Sequence, residues 1–92
     1  MEIKQFLNER KVLFWGVSKE EIENISNECI TETILNYGNL DDIRLLFQII
    51  GIKKVAAIFF AQINRSRNNY NKFIINYFTL YFNRYAQQNS IN

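Results

Sequence analysis

The 92-residue chain has no proline, and its only glycines are Gly16, Gly38 and Gly51. Proline and glycine punctuate turns, so a chain this poor in them has few places to end a helix or reverse a strand. Apolar residues recur at helical intervals over most of its length. The expected fold is therefore all-α: a compact bundle of four main helices, with a short N-terminal helix and an irregular Phe-Trp segment, in one domain covering residues 1–92. With 48% apolar and 15% aromatic residues, the chain is not of disordered composition.

Tyr37 to Ile63 reads as helix, Gly51, helix. The first of the two, Leu40 to Ile50, is apolar almost all round, which is the pattern of a buried helix that the others surround. Asn39 suits its N-cap, and Asp41 and Asp42 suit its first turn, where the helix dipole favours anions. The second turns Ile52, Val55, Ala56, Phe59, Phe60 and Ile63 inward, and leaves Lys53, Lys54 and Arg65 around Ala57 and Ala61 on its outer face. Before this unit, residues 2–9 form a short helix with Ile3, Phe6 and Leu7 inward. Val12 to Val17 form an extended plug anchored by Trp15. Ser18 and Glu21 have the spacing of a capping box. The helix that follows turns Ile22, Ile25, Cys29, Ile30, Thr33, Ile34 and Tyr37 inward, with a break near Asn24 to Asn27, and Gly38 ends it in a left-handed conformation. The last helix, to about Gln88, carries Tyr70, Phe73, Ile74, Tyr77, Phe78, Tyr81, Phe82 and Tyr85, with Ile75 and Leu80 at the edges. That apolar arc spans about 220°, wider than one side of a small bundle absorbs.

Leu13-Phe14-Trp15-Gly16-Val17, Ile34-Leu35-Asn36-Tyr37-Gly38-Asn39-Leu40-Asp41-Asp42, Leu46-Phe47 with Gly51, and Asn76-Tyr77-Phe78 occur here in that order. This pattern, spread over residues 13–82, resembles a bacterial family of short helical proteins without an assigned activity. Its members are often encoded beside nucleotidyltransferase-type abortive-infection toxins. Gly16 stands where that family usually has an acid. The resemblance implies an antitoxin-like accessory protein.

Composition removes several kinds of chemistry. There is no histidine, and Cys29 is the lone cysteine. Histidine-based catalysis and an intramolecular disulfide are thus excluded, and a zinc site would need one thiolate and carboxylates. Cys29 falls on an apolar helix face beside Glu28 and Glu32, a core position and not that of an activated thiolate. Asp41 and Asp42 are adjacent on a helix and point about 100° apart, so they do not converge as an acid/base pair. No catalytic, cofactor or metal-binding residue is assigned, and an enzyme is not expected; neither is a small-molecule substrate. Met1 to Gln5 lacks the apolar core of a signal peptide, and the longest apolar run, Val55 to Ala61, is too short to cross a bilayer. A cytoplasmic, non-membrane protein is the expectation.

Charge is divided along the chain. Residues 1–50 hold all nine acids and five bases, whereas residues 51–92 hold six bases and no acid. The halves either neutralise each other or present the basic half to an anionic partner. Two functional readings follow. One is a protein-interaction module, antitoxin-like, that meets another chain (a toxin or a second copy) through Arg65, Arg67, Lys72, Tyr77, Tyr81, Arg84 and Tyr85. The alternative is a small helix-turn-helix-like regulator that meets DNA or RNA through Lys53, Lys54, Arg65, Arg67 and Lys72. A structural homodimer is a third possibility.

Overall fold

Helix boundaries follow the capping chemistry of the sequence. The computed structural model describes residues 2–22, 24–65 and 68–91, with residue 19 and residues 87–91 as backbone only. Among them are six α-helices and no strand: α1 Ile3–Glu9, α2 Lys19–Ile22, α3 Asn27–Tyr37, α4 Leu40–Ile50, α5 Ile52–Ile63 and α6 Lys72–Ile91, with a 3₁₀ turn, Lys11–Phe14, after α1. Four of these helices begin with the same device, a side-chain oxygen accepting a backbone N–H three residues on. Ser18 accepts from Glu21 at 3.2 Å, Ser26 from Cys29 at 3.1 Å, Asn39 from Asp42 at 2.9 Å and Asn71 from Ile74 at 2.9 Å. The Ser26 cap explains why the expected helix after Ser18 is broken into α2 and α3.

The two inter-helix glycines serve different ends. Gly51 has φ 99°, which a side chain rarely tolerates, and its N–H closes α4 on the Phe47 carbonyl at 2.9 Å. Gly38 is extended, with φ −75° and ψ 157°, contrary to the left-handed conformation expected. It is needed for room: a Cβ there would stand 2.7 Å from the Ile34 carbonyl oxygen and 3.0 Å from the Asp42 Cβ.

The centre of the molecule is α5, which packs against α3, α4 and α6. Val55 and Phe59 are wholly enclosed, and Ala56 and Gln62 nearly so. The Phe59 ring meets Phe60, Tyr70, Phe78 and Phe82 with centroids 5.2–6.1 Å apart, the spacing of favourable aromatic pairs. Helix α4, the expected centre, is a flanking element: only Asp42 and Leu46 are buried and Leu40 is 58% exposed. Ile43, Leu45, Phe47, Ile49 and Ile50 pack partly buried against the core, while Leu40, Asp41, Arg44 and Gln48 are exposed.

Two further expectations are corrected. Phe14, not Trp15, is the plug; Phe14 is 2% exposed and Trp15 85%. In a 3₁₀ turn residues three apart are aligned, so Val12 and Trp15 share the outward edge while Phe14 meets the core. On α3 the buried set is Ile30, Thr31, Ile34 and Leu35. Tyr37 lies about 90° from the middle of that arc and is exposed.

One polar chain crosses the aromatic interior. The Tyr70 hydroxyl donates to Gln62 Oε1 at 2.5 Å, and Gln62 Nε2 donates to the Glu28 carbonyl at 2.9 Å. This satisfies both polar groups and links α3, α5 and the segment leading into α6. Burial, and secondarily the Glu32 carboxylate, push the Tyr70 phenol well above its ordinary value of 10.0.

Two outcomes follow for stability. Phe59→Ala should lower the unfolding free energy by about 3–5 kcal/mol, while Leu40→Ala should change it by less than about 0.5 kcal/mol, as read from denaturant midpoints. The raised Tyr70 pKa disfavours its ionised form in the fold, so the stabilisation is complete below pH 10.0 and lost as pH climbs toward the folded-state value. Urea midpoints should therefore fall above pH 10.0, and Tyr70→Phe should flatten that decline.

Candidate protein-interaction surface

Helix α6 has two apolar faces. Phe78, Phe82 and Ala86 point into the core and are buried, with Ile74, Ile75 and Tyr81 partly covered beside them. Phe73, Tyr77 and Leu80 are 77%, 50% and 72% exposed. At 100° per residue these three and Arg84 fall within an arc of about 60° on the side opposite Phe82. The buried side accounts for the core half of the wide stripe, and the exposed side for its surplus.

The exposed rings are linked to the fold through Tyr81. Its ring lies 5.7 Å from Phe47, 6.3 Å from Tyr77 and 4.7 Å from Tyr85. Tyr81 is thus half-buried and positions its neighbours, whereas Tyr85 is 43% exposed. The Arg84 guanidinium stands 5.5 Å from the Tyr85 ring, close enough for a cation–π contact. Between this face and the α3–α4 corner runs an open groove of ≈ 410 Å³, lined by Leu35, Asn36, Leu40, Ile43, Asn71, Phe73, Ile74, Tyr77 and Phe78. A larger depression, ≈ 670 Å³, lies between Ile3, Ile49 and Ile50, but Glu2, Lys4, Asn27, Gln48 and Lys54 make its lining mixed.

The basic residues are dispersed around α5 and α6. Lys53 and Lys54 are exposed at the N-terminal end of α5, and Arg65 is exposed just past its C-terminal end. Eleven residues separate Lys54 from Arg65, about 16 Å along the axis, with Ala57 and Ala61 on the exposed strip between. Lys72 is exposed at the start of α6. Arg67 lies outside the described residues. Among the described residues, the ion pairs are those of Arg10 with Glu9 and Asp42, and none joins a cation of the basic half to an acid of the other. The halves are linked instead by neutral donors, Gln62 to the Glu28 carbonyl and Asn69 to Glu32 Oε1 at 2.7 Å.

Asp41 is exposed and Asp42 buried, so they share no pocket. Asp42 completes the N-terminal box of α4, one oxygen accepting from the Asn39 N–H at 2.9 Å and the other from Arg10 Nε at 2.6 Å. Arg10 also lies over the Phe6 ring, 4.2 Å from its centroid. This clamp between the end of α1 and the start of α4 has no sequence signal, because its members are 32 residues apart; only the capping role of Asp42 is local. Cys29 is half-buried, and its thiol is shifted up by burial and by Glu32, against a weaker lowering by Thr33. That environment disfavours the thiolate. Among the described residues, no cluster of three or more acids and cysteines is placed to hold a metal ion, and no helix is long and apolar enough to cross a membrane.

Residues 9–59, more than half of the chain, match the family of unknown function DUF6922. The chain belongs to that family. No curated protein and no solved structure matches it. The matched segment contains the Arg10–Asp42 clamp, the Phe14 plug, both inter-helix glycines and Phe59. It stops within α5, so Asn76-Tyr77-Phe78 and the rest of α6 lie outside it.

The clamp is testable by a double-mutant cycle. Both side chains are nearly enclosed, 14% and 13% exposed, so Arg10→Met should cost about 3 kcal/mol by leaving the Asp42 charge unpaired. In an Asp42→Asn background the same change should cost clearly less.

Proposed function

We propose that the protein is a non-enzymatic interaction module that binds another protein chain through the outer face of α6 and the cations beside it. The observation that carries this reading is the exposure of Phe73, Tyr77 and Leu80 in one stripe, with Arg84 and Tyr85 adjoining. Aromatic residues and arginine are the types enriched in interface hot spots, and a contiguous apolar stripe on a small soluble fold marks a contact surface. Lys72 at the start of α6, Arg84 along it and Arg65 in the connection before it supply charges for acids on the partner. In the antitoxin-like form implied by the resemblance to a bacterial toxin-linked family, the partner is a toxin and binding occludes it.

The nucleic-acid reading has less support. Lys53 and Lys54 sit at one end of α5 and Arg65 past the other, Lys72 is on α6, Ala57 and Ala61 offer no hydrogen bonds to base edges, and the rest of α5 faces the core. A second copy bound at the same face, the homodimer reading, would be the protein partner in its simplest form.

The test places a photo-crosslinking residue at Tyr77 in cells and, as a control, at the exposed Gln5 of α1. A discrete protein adduct is expected at Tyr77 alone and should vanish with Leu80→Glu, which leaves the melting temperature essentially unchanged. Adducts to nucleic acid, together with binding to mixed-sequence duplex that weakens steeply with salt, would replace this reading with the regulatory one.

A further inference from the structure

The exposed apolar positions on α6 are not scattered; their spacing is 4-3. Phe73, Tyr77 and Leu80, with Arg84 four residues further, follow the alternation by which one helix meshes with another. The inward residues cannot serve that purpose, since Phe78 and Phe82 are committed to the Phe59 cluster. The groove of ≈ 410 Å³ between Leu40 and Tyr77 lies alongside this seam and widens it.

Charge decides what kind of helix fits. No acid occurs anywhere from residue 51 onward, so the polar positions of α6 are neutral or cationic. Lys72 is exposed at the start of α6 and Arg84 just past the far end of the seam, and Arg44 is exposed one turn after Leu40 on α4. Asp41 lies about 100° around α4 from Leu40. None of the three cations has a carboxylate within 4.0 Å among the described residues. Two copies of α6 laid against each other would bring Lys72 and Arg84 of both chains together with no acid of either helix between them. That repulsion disfavours a second copy at this face.

We propose that the partner element is an amphipathic helix with acidic flanks, laid along the Phe73–Tyr77–Leu80 seam with its apolar side against the groove. This deepens the interaction reading and rests on it. Carboxylates on either side of the partner's apolar stripe pair with Arg44, Lys72 and Arg84, while the seam supplies the desolvated centre.

The test titrates the whole protein with two fluorescent heptad peptides, leucine at the a and d positions, one with glutamate and the other with lysine at e and g. The glutamate peptide is expected to bind about tenfold more tightly, from a few rim ion pairs acting together. Higher salt should narrow the gap, and the Lys72→Glu/Arg84→Glu variant should reverse it. Phe73→Glu and Leu80→Glu should abolish binding with unchanged circular dichroism and melting. Equal binding of both peptides, lost with Leu80→Glu, would overturn the acidic-helix proposal and leave the interaction reading standing. A wild-type dimer in light scattering that Leu80→Glu dissociates would overturn it in favour of a second copy. No peptide binding by a strict monomer, with no adduct at Tyr77 in cells, would remove both.

Discussion

One ring sets the geometry of the interior. Phe59 is wholly enclosed, and three of the four rings packed on it, those of Tyr70, Phe78 and Phe82, come from the C-terminal segment. Edge-on aromatic contacts are directional as well as apolar, so they fix the rotation of α6 and not only its distance. Once Phe78 and Phe82 face α5, helical geometry requires Phe73, Tyr77 and Leu80 to face away. The outward seam is thus a consequence of the inward packing, held by the best-buried part of the fold.

The polar contacts reinforce that arrangement. Gln62 is a single amide that accepts from Tyr70 and donates to the α3 backbone. Leaving either partner unpaired in an apolar interior is costly, so the network selects one registry of α3, α5 and α6. The Thr31 hydroxyl is different, being fully buried without a hydrogen-bond partner. The side-chain links between the acidic and basic halves come from neutral amides, Gln62 to a backbone carbonyl and Asn69 to the Glu32 carboxylate, and the described Lys and Arg side chains of the second half are paired with no carboxylate of the first.

What the sequence made legible was whatever depends on neighbours along the chain. Helix periodicity, the Ser18 and Asn39 caps, the break before α3 and the turn at Gly51 are all local, and each is found. The apolar inward face of α5 was also readable, because its polar strip is narrow, but the burial of Gln62 was not. Nor was position within the bundle. Helix α4 has the composition of a central helix yet flanks α5, since apolar residues on every side do not say which side will be covered. Trp15 was misplaced for a related reason: bulk suggests an anchor, but the 3₁₀ geometry of its turn gives that place to Phe14. Gly38 was expected to be needed for its conformational freedom, and is needed for its lack of a side chain where α3 meets α4. The width of the α6 stripe pointed to surplus apolar surface, though only the packing on Phe59 says which rings make it up. Arg10 with Asp42 escaped altogether, as a pairing set by tertiary contact alone.

The family match ends at the residue on which the interior converges. A fragment trimmed to the matched segment would keep its caps, glycines and clamp while stripping Tyr70, Phe78 and Phe82 from the Phe59 ring. Such a piece would be born with an open wound along α5, and its first affinity would be for any greasy helix within reach, including another fragment. Independent expression of the recognised segment should therefore yield aggregates or a swapped assembly in place of a miniature of the whole.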